Sequence, residues 1–424
     1  ENRVEPLDAG WRERITASND TLARNGLRVL GVAYCTLESL PDPDDLPQVE
    51  NGLVFVGMVG RIGPPRPEVK DAVATSKTAG IRTVMITGDH PLTALSIAHD
   101  LGIARNDRVI TGHELASMTP EQLDAVVEDV DVYARVAPEH KLNIVAALQK
   151  RGHVIAMTGD GVNDAPALRR ANIGVAMGIT GTAVSKEASD MVLLDDNFAT
   201  IVRATEEGRT IYDNVRRFIK YILASNTGEV FVLLGTQAAG LPLPLNTLQI
   251  LYMNLVTDGL PALALAVEPG EKDVMRRPPF RPSESLFARG MWQHLVFVGA
   301  LIFGTSFALS LLGYPAYDAA NHPGVWSTMV FTTLTLSQMG HALAVRSDKE
   351  TLFSKGLFSN VPLLLAVGGT VLLQMAIIYV KPFQQFFGTA SLTLDQLAVC
   401  LGLSLAVTLG IEIRKAFLRR ADRA

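Results

Sequence analysis

The chain has 424 residues and a formal net charge of −5, and only 19% of its residues are charged. A slightly acidic balance of this kind argues against a nucleic-acid surface. The two cysteines, Cys35 and Cys400, exclude a disulfide framework and a Cys-x-x-Cys metal site.

In chain order, the first half reads as an α/β protein. The apolar, β-branched runs GLVFVGMVG (52–60), IRTVMITGD (81–89), HVIAMTGD (153–160) and IGVAM (173–177) predict strands. Between them RPEVKDAVATSKTAG (66–80), PLTALSIAHDLG (91–102) and PEHKLNIVAALQKRG (138–152) predict helices. Alternation of this sort implies crossover units and a parallel sheet, with ligands at the carboxyl ends of the strands. Two triplets, Thr87-Gly88-Asp89 and Thr158-Gly159-Asp160, stand at such ends and are expected to face one crevice.

From about residue 215 onward the chain becomes membrane-like. Six apolar stretches approach the length of about 20 residues that a helix needs to cross a bilayer. They lie at about 218–240, 245–267, 291–312, 325–345, 360–380 and 392–412. Arg216, Arg217 and Lys220 precede the first. Lys272, Arg276, Arg277, Arg281 and Arg289 separate the second and third; Arg346, Lys349 and Lys355 separate the fourth and fifth. Arg414, Lys415, Arg419 and Arg420 follow the sixth, whereas the alternate loops hold a single lysine. The positive-inside rule then predicts that the first half and the C-terminus are cytoplasmic.

Two constellations carry chemistry. In the stretch AMTGDGVNDAPAL (156–168), Asp160 is the best-placed ligand for Mg²⁺, a hard cation often held by one or two carboxylates and a substrate phosphate. Asn163 suits a phosphate oxygen, Asp164 the support of the loop, and Lys141 a point charge on a phosphoryl group. The plainer reading is a strand-end turn with a solvated lysine. In the membrane half, Asn226 and Glu229 are three apart, and Asn254, Thr257 and Asp258 are spaced by three and four, so each set shares a helical face. Carboxylates at membrane depth are costly and point to function. Together these groups make an oxygen cage suited to a hard cation such as Ca²⁺. The plainer reading, hydrogen bonds between helices, serves Thr257 and Asn226 better than Glu229 and Asp258. Pro242, Pro244 and Pro261 predict loop and helix-unwinding positions whose freed carbonyls line a cavity.

These residues sit in recognisable motifs. TGDGVNDAPAL (158–168) resembles the hinge signature of the P-type ATPases, within the haloacid-dehalogenase-like superfamily. MITGDH (85–90), YARVAPEHK (133–141), MVLLDDNF (191–198), EEGRTIYDN (206–214), YILASNTGE (221–229) and YMNLVTDGLPALAL (252–265) resemble the calcium-pump (type II) branch, in the expected order. The resemblance implies a haloacid-dehalogenase-like phosphorylation domain with a parallel sheet at 54–210, preceded at 1–53 by the last piece of a nucleotide-binding domain. An all-α transmembrane domain of six helices follows at 211–424.

The resemblance also implies roles. Asp160 binds the catalytic Mg²⁺ with Asn163 and Asp164 in support; Lys141 neutralises the transferred phosphoryl, and Thr87 and Gly88 hold its oxygens. Asp89 lies near Mg²⁺ and the nucleotide phosphates, Arg28 contacts ATP phosphate, and Arg135 lies close to the same hinge. Asn226, Glu229, Asn254, Thr257, Asp258 and Gln338 serve the transported cation. The expected activity is ATP-driven cation transport through an aspartyl phosphate, with Ca²⁺ export favoured over Mn²⁺ or Na⁺, in the plasma membrane. A non-catalytic C-terminal remnant or subunit is the alternative.

Three departures qualify the likeness. No DKTGT motif is present, so the phosphorylated Asp, the actuator domain and the first four spans are expected to come from a preceding segment of the same pump. Gln338 stands where two-site calcium pumps carry an acid, and Gly63 replaces the Asp of a DPPR motif. One helix running from EEGRTIYDN into the first span is expected to carry movement at the phosphate site to Glu229.

Overall fold

The structure, a computed structural model, describes residues 4–37, 51–317, 324–348 and 350–421. Lys349 and the middle of the 313–324 loop, both used in the topology argument, lie outside the described residues. The chain divides into two units, Glu1–Thr205 with Met275–Pro279, and Glu206–Val274 with Phe280–Ala424.

The first unit opens with helix α1 (Ala9–Arg24), capped by the Asp8 carboxylate on Trp11 N at 2.8 Å. Strands β1 (Arg28–Tyr34) and β2 (Val54–Arg61) follow and pair antiparallel. Here the structure corrects the sequence reading. GLVFVGMVG does form a strand, but its partner is β1, a segment not read as a strand, and among the described residues it joins no parallel sheet. An apolar run states burial or β preference, not the direction of its neighbour.

Next come α2 (Pro67–Thr78), β3 (Met85–Ile86), α3 (Pro91–Asp100), β4 (Val109–Thr111), α4 (Gly112–Ser117), α5 (Pro120–Val126), β5 (Val132–Ala134) and α6 (Pro138–Lys150). Then follow β6 (Ala156–Gly159), α7 (Ala165–Arg170), β7 (Ile173–Met177), α8 (Ala183–Glu187) and β8 (Met191–Leu193). The expected parallel arrangement is present as two three-stranded sheets, ordered β3-β5-β4 and β6-β7-β8. Strand alternation makes the first sheet two-sided. Tyr133 of β5 packs with Ile110, Ile144 and Leu148, while its neighbours Val132 and Ala134 pack with Ala94 and Ala98. Helix α6 thus covers one face and α3 the other, as parallel sheets require.

The second unit is helical. Helix α9 (Phe198–Ala238) runs for 41 residues, its first turns in the first unit. After it come α10 (Thr247–Tyr252), a π-helical segment at Met253–Thr257, α11 (Gly259–Leu265), α12 (Met291–Ala316) and α13 (Val325–Ala344). Helices α14 (Leu352–Lys355), α15 (Val361–Tyr379), α16 (Lys381–Phe387) and α17 (Leu394–Ala421) complete it.

Among the described residues five stretches are long and apolar enough to cross a membrane: Phe198–Ala238, Thr247–Leu265, Met291–Ala316, Val361–Tyr379 and Leu394–Arg420. The expected fourth span forms a helix, α13, 20 residues long, but it falls outside this apolar set. Its Thr332, Thr333, Thr335, Ser337, Gln338 and His341 are buried inside the unit, so the helix is wrapped by protein and needs less apolar surface. The helices approach closely at small residues. A Cβ added to Gly340 would meet Thr408 Oγ1 at 1.9 Å, and one at Gly228 would meet Ile302 at 2.7 Å.

At one end of this unit, Glu268 is enclosed by Arg346 (3.0 Å), Asn360 (2.7 Å) and Lys355 (3.4 Å). Burial alone pushes its carboxyl upward, but the bonds from Arg346 and Asn360 and the Lys355 charge hold it below the ordinary glutamate value.

Candidate functional sites

The first site stands at the carboxyl end of β6. The chain leaves the strand at Gly159 and turns through a 3₁₀ segment at Val162–Asp164. Asp164 folds back under the turn: its Oδ2 accepts from Asp160 N at 3.3 Å and Gly161 N at 3.2 Å, and its Oδ1 accepts from Lys141 Nζ at 2.5 Å. Gly159 is required for this closure, since a Cβ there would lie 2.5 Å from Asp164 Cβ. Lys141 reaches the pair from the first turn of α6, a helix that starts at Pro138. Asp164 is buried, whereas Asp160 and Asn163 are exposed.

The main chain of Asp160 is fixed from a second side. Its carbonyl accepts from Thr182 N at 2.9 Å and Ser185 Oγ at 3.0 Å. The loop supplying Thr182 is itself held by Asp196, which accepts from Ile179 N at 3.0 Å and from Thr180 N and Oγ1, both at 2.8 Å. These bonds, led by the one from Ile179, bring the Asp196 carboxyl down to about 2. An exposed carboxylate on a pinned turn is a suitable hard-oxygen ligand for Mg²⁺ when a phosphate supplies further oxygens. Among the described residues no group of three or more His, Cys, Asp or Glu is clustered for a metal.

A cavity of about 550 Å³ lies beside the end of β3 and is lined by Arg28, Thr87, Gly88, Asp89, His90 and Arg135. Arg28 donates to Asp89, and Asp89 N donates to Thr87 Oγ1 at 3.1 Å. Arg135 takes a left-handed backbone (φ 52°), and its N–H donates to Asp89 O at 3.3 Å. The structure therefore gathers the predicted residues into two groups, Lys141 with Asp160 and Asp164, and Arg28 with Thr87, Gly88, Asp89 and Arg135. Among the described residues no hydrogen bond or ion pair joins the groups.

The second site lies in the helical unit. Gln338 Nε2 donates to Glu229 Oε1, and Thr257 Oγ1 donates to Gln338 Oε1 at 2.7 Å and approaches Met253 O at 2.6 Å. Glu229, Thr257, Asp258 and Gln338 are all buried. Among the described residues, both carboxylate oxygens of Asp258 and Oδ1 of Asn226 are buried without a hydrogen-bond partner. Buried polar atoms without partners are rare, so these oxygens suit a cation. Asn254 is exposed, and its amide donates to Ile250 O at 3.0 Å in its own helix.

Residues 242–417 match the family model described as "Cation transporting ATPase, C-terminus", and residues 17–172 match "haloacid dehalogenase-like hydrolase". A "Calcium-transporting ATPase" of Bacillus subtilis (strain 168) is 47% identical over 384 residues, covering 90% of this chain and 43% of that protein. "Calcium-transporting ATPase 1" of Saccharomyces cerevisiae is 39% identical over 429 residues, 99% of this chain and 44% of that protein. The chain belongs to the P-type cation-transporting ATPases, on their calcium-pump-like branch. "Calcium-transporting ATPase type 2C member 1" of Pongo abelii is 40% identical over 373 residues, 88% of this chain and 40% of that protein. The chain spans less than half the length of these P-type ATPase relatives.

Two contributions to the sites of this P-type ATPase chain escaped sequence reasoning. Tyr221 Oη donates to Thr257 O at 2.6 Å, inside the second site. Thr182 and Ser185 hold the Asp160 carbonyl. Thr182 had a local signal, being an N-cap three residues before Ser185, but Tyr221 had none.

Proposed function

We propose that this chain is part of an ATP-driven cation pump that works through an aspartyl phosphate, with Ca²⁺ the favoured ion. The observation that carries the reading is the second site, where the helices of Glu229, Thr257–Asp258 and Gln338 place carboxylate and amide oxygens together, three of them unpartnered. Oxygen-only donors of this kind select hard cations, and the calcium-transporting relatives favour Ca²⁺. In this reading Glu229, Asp258, Asn226, Thr257 and Gln338 receive the ion, and Asn254 joins them on its approach.

At the first site Asp160 and Asn163 hold Mg²⁺ and phosphate oxygens, while Lys141 offsets phosphoryl charge with its position set by Asp164. Thr87 and Gly88 hold the transferred group, and Arg28, Asp89 and Arg135 line the nucleotide side. Bound Mg²⁺ supplies charge compensation for in-line phosphoryl transfer. The nucleophilic Asp, the actuator domain and four further spans come from a preceding segment, in keeping with relatives about twice as long. The protein sits in the plasma membrane, with its soluble unit and C-terminus cytoplasmic. Domain limits at 53 and 210 belong to the same proposal. Gln338 in place of an acid favours a second reading, a Mn²⁺ pump or one with a single-ion site.

The test is ATPase activity of the complete protein titrated with Ca²⁺, Mn²⁺ and Na⁺. Activation by one divalent ion, lost or shifted at least about tenfold in Glu229→Gln with nucleotide binding intact, is the expected result. Ion dependence unchanged by that substitution would sink the assignment of the membrane site.

A further inference from the structure

A second cavity, of about 300 Å³, lies at the end of the helical unit where α9 enters, α12 begins and α17 leaves. Its lining includes four cationic side chains, Lys220, Arg289, Arg414 and Lys415, against one acid, Asp348. Three of the cations already have carboxylate partners. Lys220 pairs with Asp348, Arg289 with Glu284 at 2.6 Å, and Lys415 with Glu412 at 2.8 Å. Arg414 has none among the described residues; its guanidinium lies over the Phe297 ring at 5.0 Å. Gly290 and Gln293 place the start of α12 on the same cavity, and no side chain caps that helix, so its positive dipole end adds to the field.

The surface next to the cavity is apolar. Trp292 (64% exposed) and Val296 (54%) follow one another on a face of α12, and Phe417 (66%) and Leu418 (50%) stand beside Arg414 on α17. Both helices are long and apolar enough to span a membrane. A concave cationic pocket opening onto exposed apolar helix surface matches a molecule with an anionic head and a hydrocarbon body.

We propose that this cavity binds the headgroup of an anionic phospholipid, with Arg414 as the principal phosphate ligand and the acyl chains laid along Trp292, Val296 and Phe417. A soluble phosphate would satisfy the charge but would gain nothing from the apolar rim. Basic pockets at this end of a membrane bundle are suited to such headgroups, each Lys or Arg contributing about fivefold in affinity.

The test uses the complete protein purified in detergent with phosphatidylglycerol or phosphatidylcholine added, and reads retained lipid by native mass spectrometry. Wild type is expected to retain one phosphatidylglycerol in preference to phosphatidylcholine. Arg414→Gln lowers that retention about fivefold, and Arg414→Lys recovers part of it. Excess inorganic phosphate leaves the lipid bound. Trp292→Ala, which removes no charge, weakens retention of both lipids and keeps the test open if Arg414→Gln fails to fold. Equal retention of phosphatidylglycerol by wild type and the folded variants overturns the proposal. So does release by inorganic phosphate, which reassigns the cavity to a soluble anion.

Discussion

The Asp131 carboxylate, 2% exposed, lies at the foot of β5 between two guanidinium groups. Its Oδ1 accepts from Arg82 Nε at 3.0 Å, and its Oδ2 from Arg105 Nε at 2.8 Å and Arg105 N at 3.0 Å. Burial pushes its pKa up, but the Arg105 and Arg82 bonds outweigh that and hold it below the ordinary aspartate value. A depressed folded-state pKa adds stability that is present above the unfolded value of about 4 and is lost as pH falls through the folded one. Asp131→Asn is expected to cost about 2 kcal/mol at neutral pH, read as faster amide exchange at Val132–Ala134. The deficit should shrink as the wild type is taken below about pH 4; a pH-independent deficit would reject the ionic account. At this scale the sequence is most legible where chemistry is contiguous. Asp160, Asn163 and Asp164 lie in one turn, and Lys141 falls in a motif of its own. Asp131 gave no signal, because its partners are 49 and 26 positions away.

At the scale of elements, the π-helical segment Met253–Thr257 and Pro261 act together. Proline has no N–H, so the carbonyl four residues earlier, on Thr257, loses its helical partner. Tyr221 replaces that partner from α9, and both Tyr221 and Thr257 are fully buried. Tyr221→Phe should therefore destabilise the complete protein by about 1–3 kcal/mol, the cost of an unsatisfied buried carbonyl. Adding Pro261→Ala restores a backbone donor and is expected to recover a good part of that loss. Strict additivity in a thermal-unfolding cycle would show that the two are uncoupled. Pro261 itself marked an irregular helix, yet the sequence could not say which side chain answers it, since that depends on how α9 packs. The same limit explains β2, whose apolar run was legible and whose antiparallel partner was not. Helix α13 was legible by its length although its threonines lower its hydropathy, a composition that only its burial explains.

For the whole molecule, the two candidate sites fall in different units, so chemistry and ion binding should separate on mutation. In the complete protein Asp160→Asn is expected to lower Mg²⁺-dependent phosphoenzyme formation by at least about a hundredfold, equivalent to about 2.7 kcal/mol. Equilibrium binding of the transported ion, measured without ATP, should change by less than about twofold. Normal phosphoenzyme labelling would remove Asp160 from the catalytic centre, and a parallel loss of ion binding would argue against separable sites. Helix α9 is unbroken over its 41 residues, with its first turns counted in the first unit and the rest in the second.

The unpartnered oxygens of Asp258 and Asn226 also look different from the side of an arriving ion. An ion in water is already surrounded by oxygens, and entry means exchanging that shell for one the protein cannot reshape at will. Ca²⁺ tolerates irregular shells of six to eight oxygens, whereas Mg²⁺ demands near-octahedral geometry and sheds water reluctantly. If the proposed site receives a cation, bare carboxylate and amide oxygens would filter by willingness to dehydrate as much as by charge. Such a site would ignore Mg²⁺, the ion proposed for the turn at Asp160.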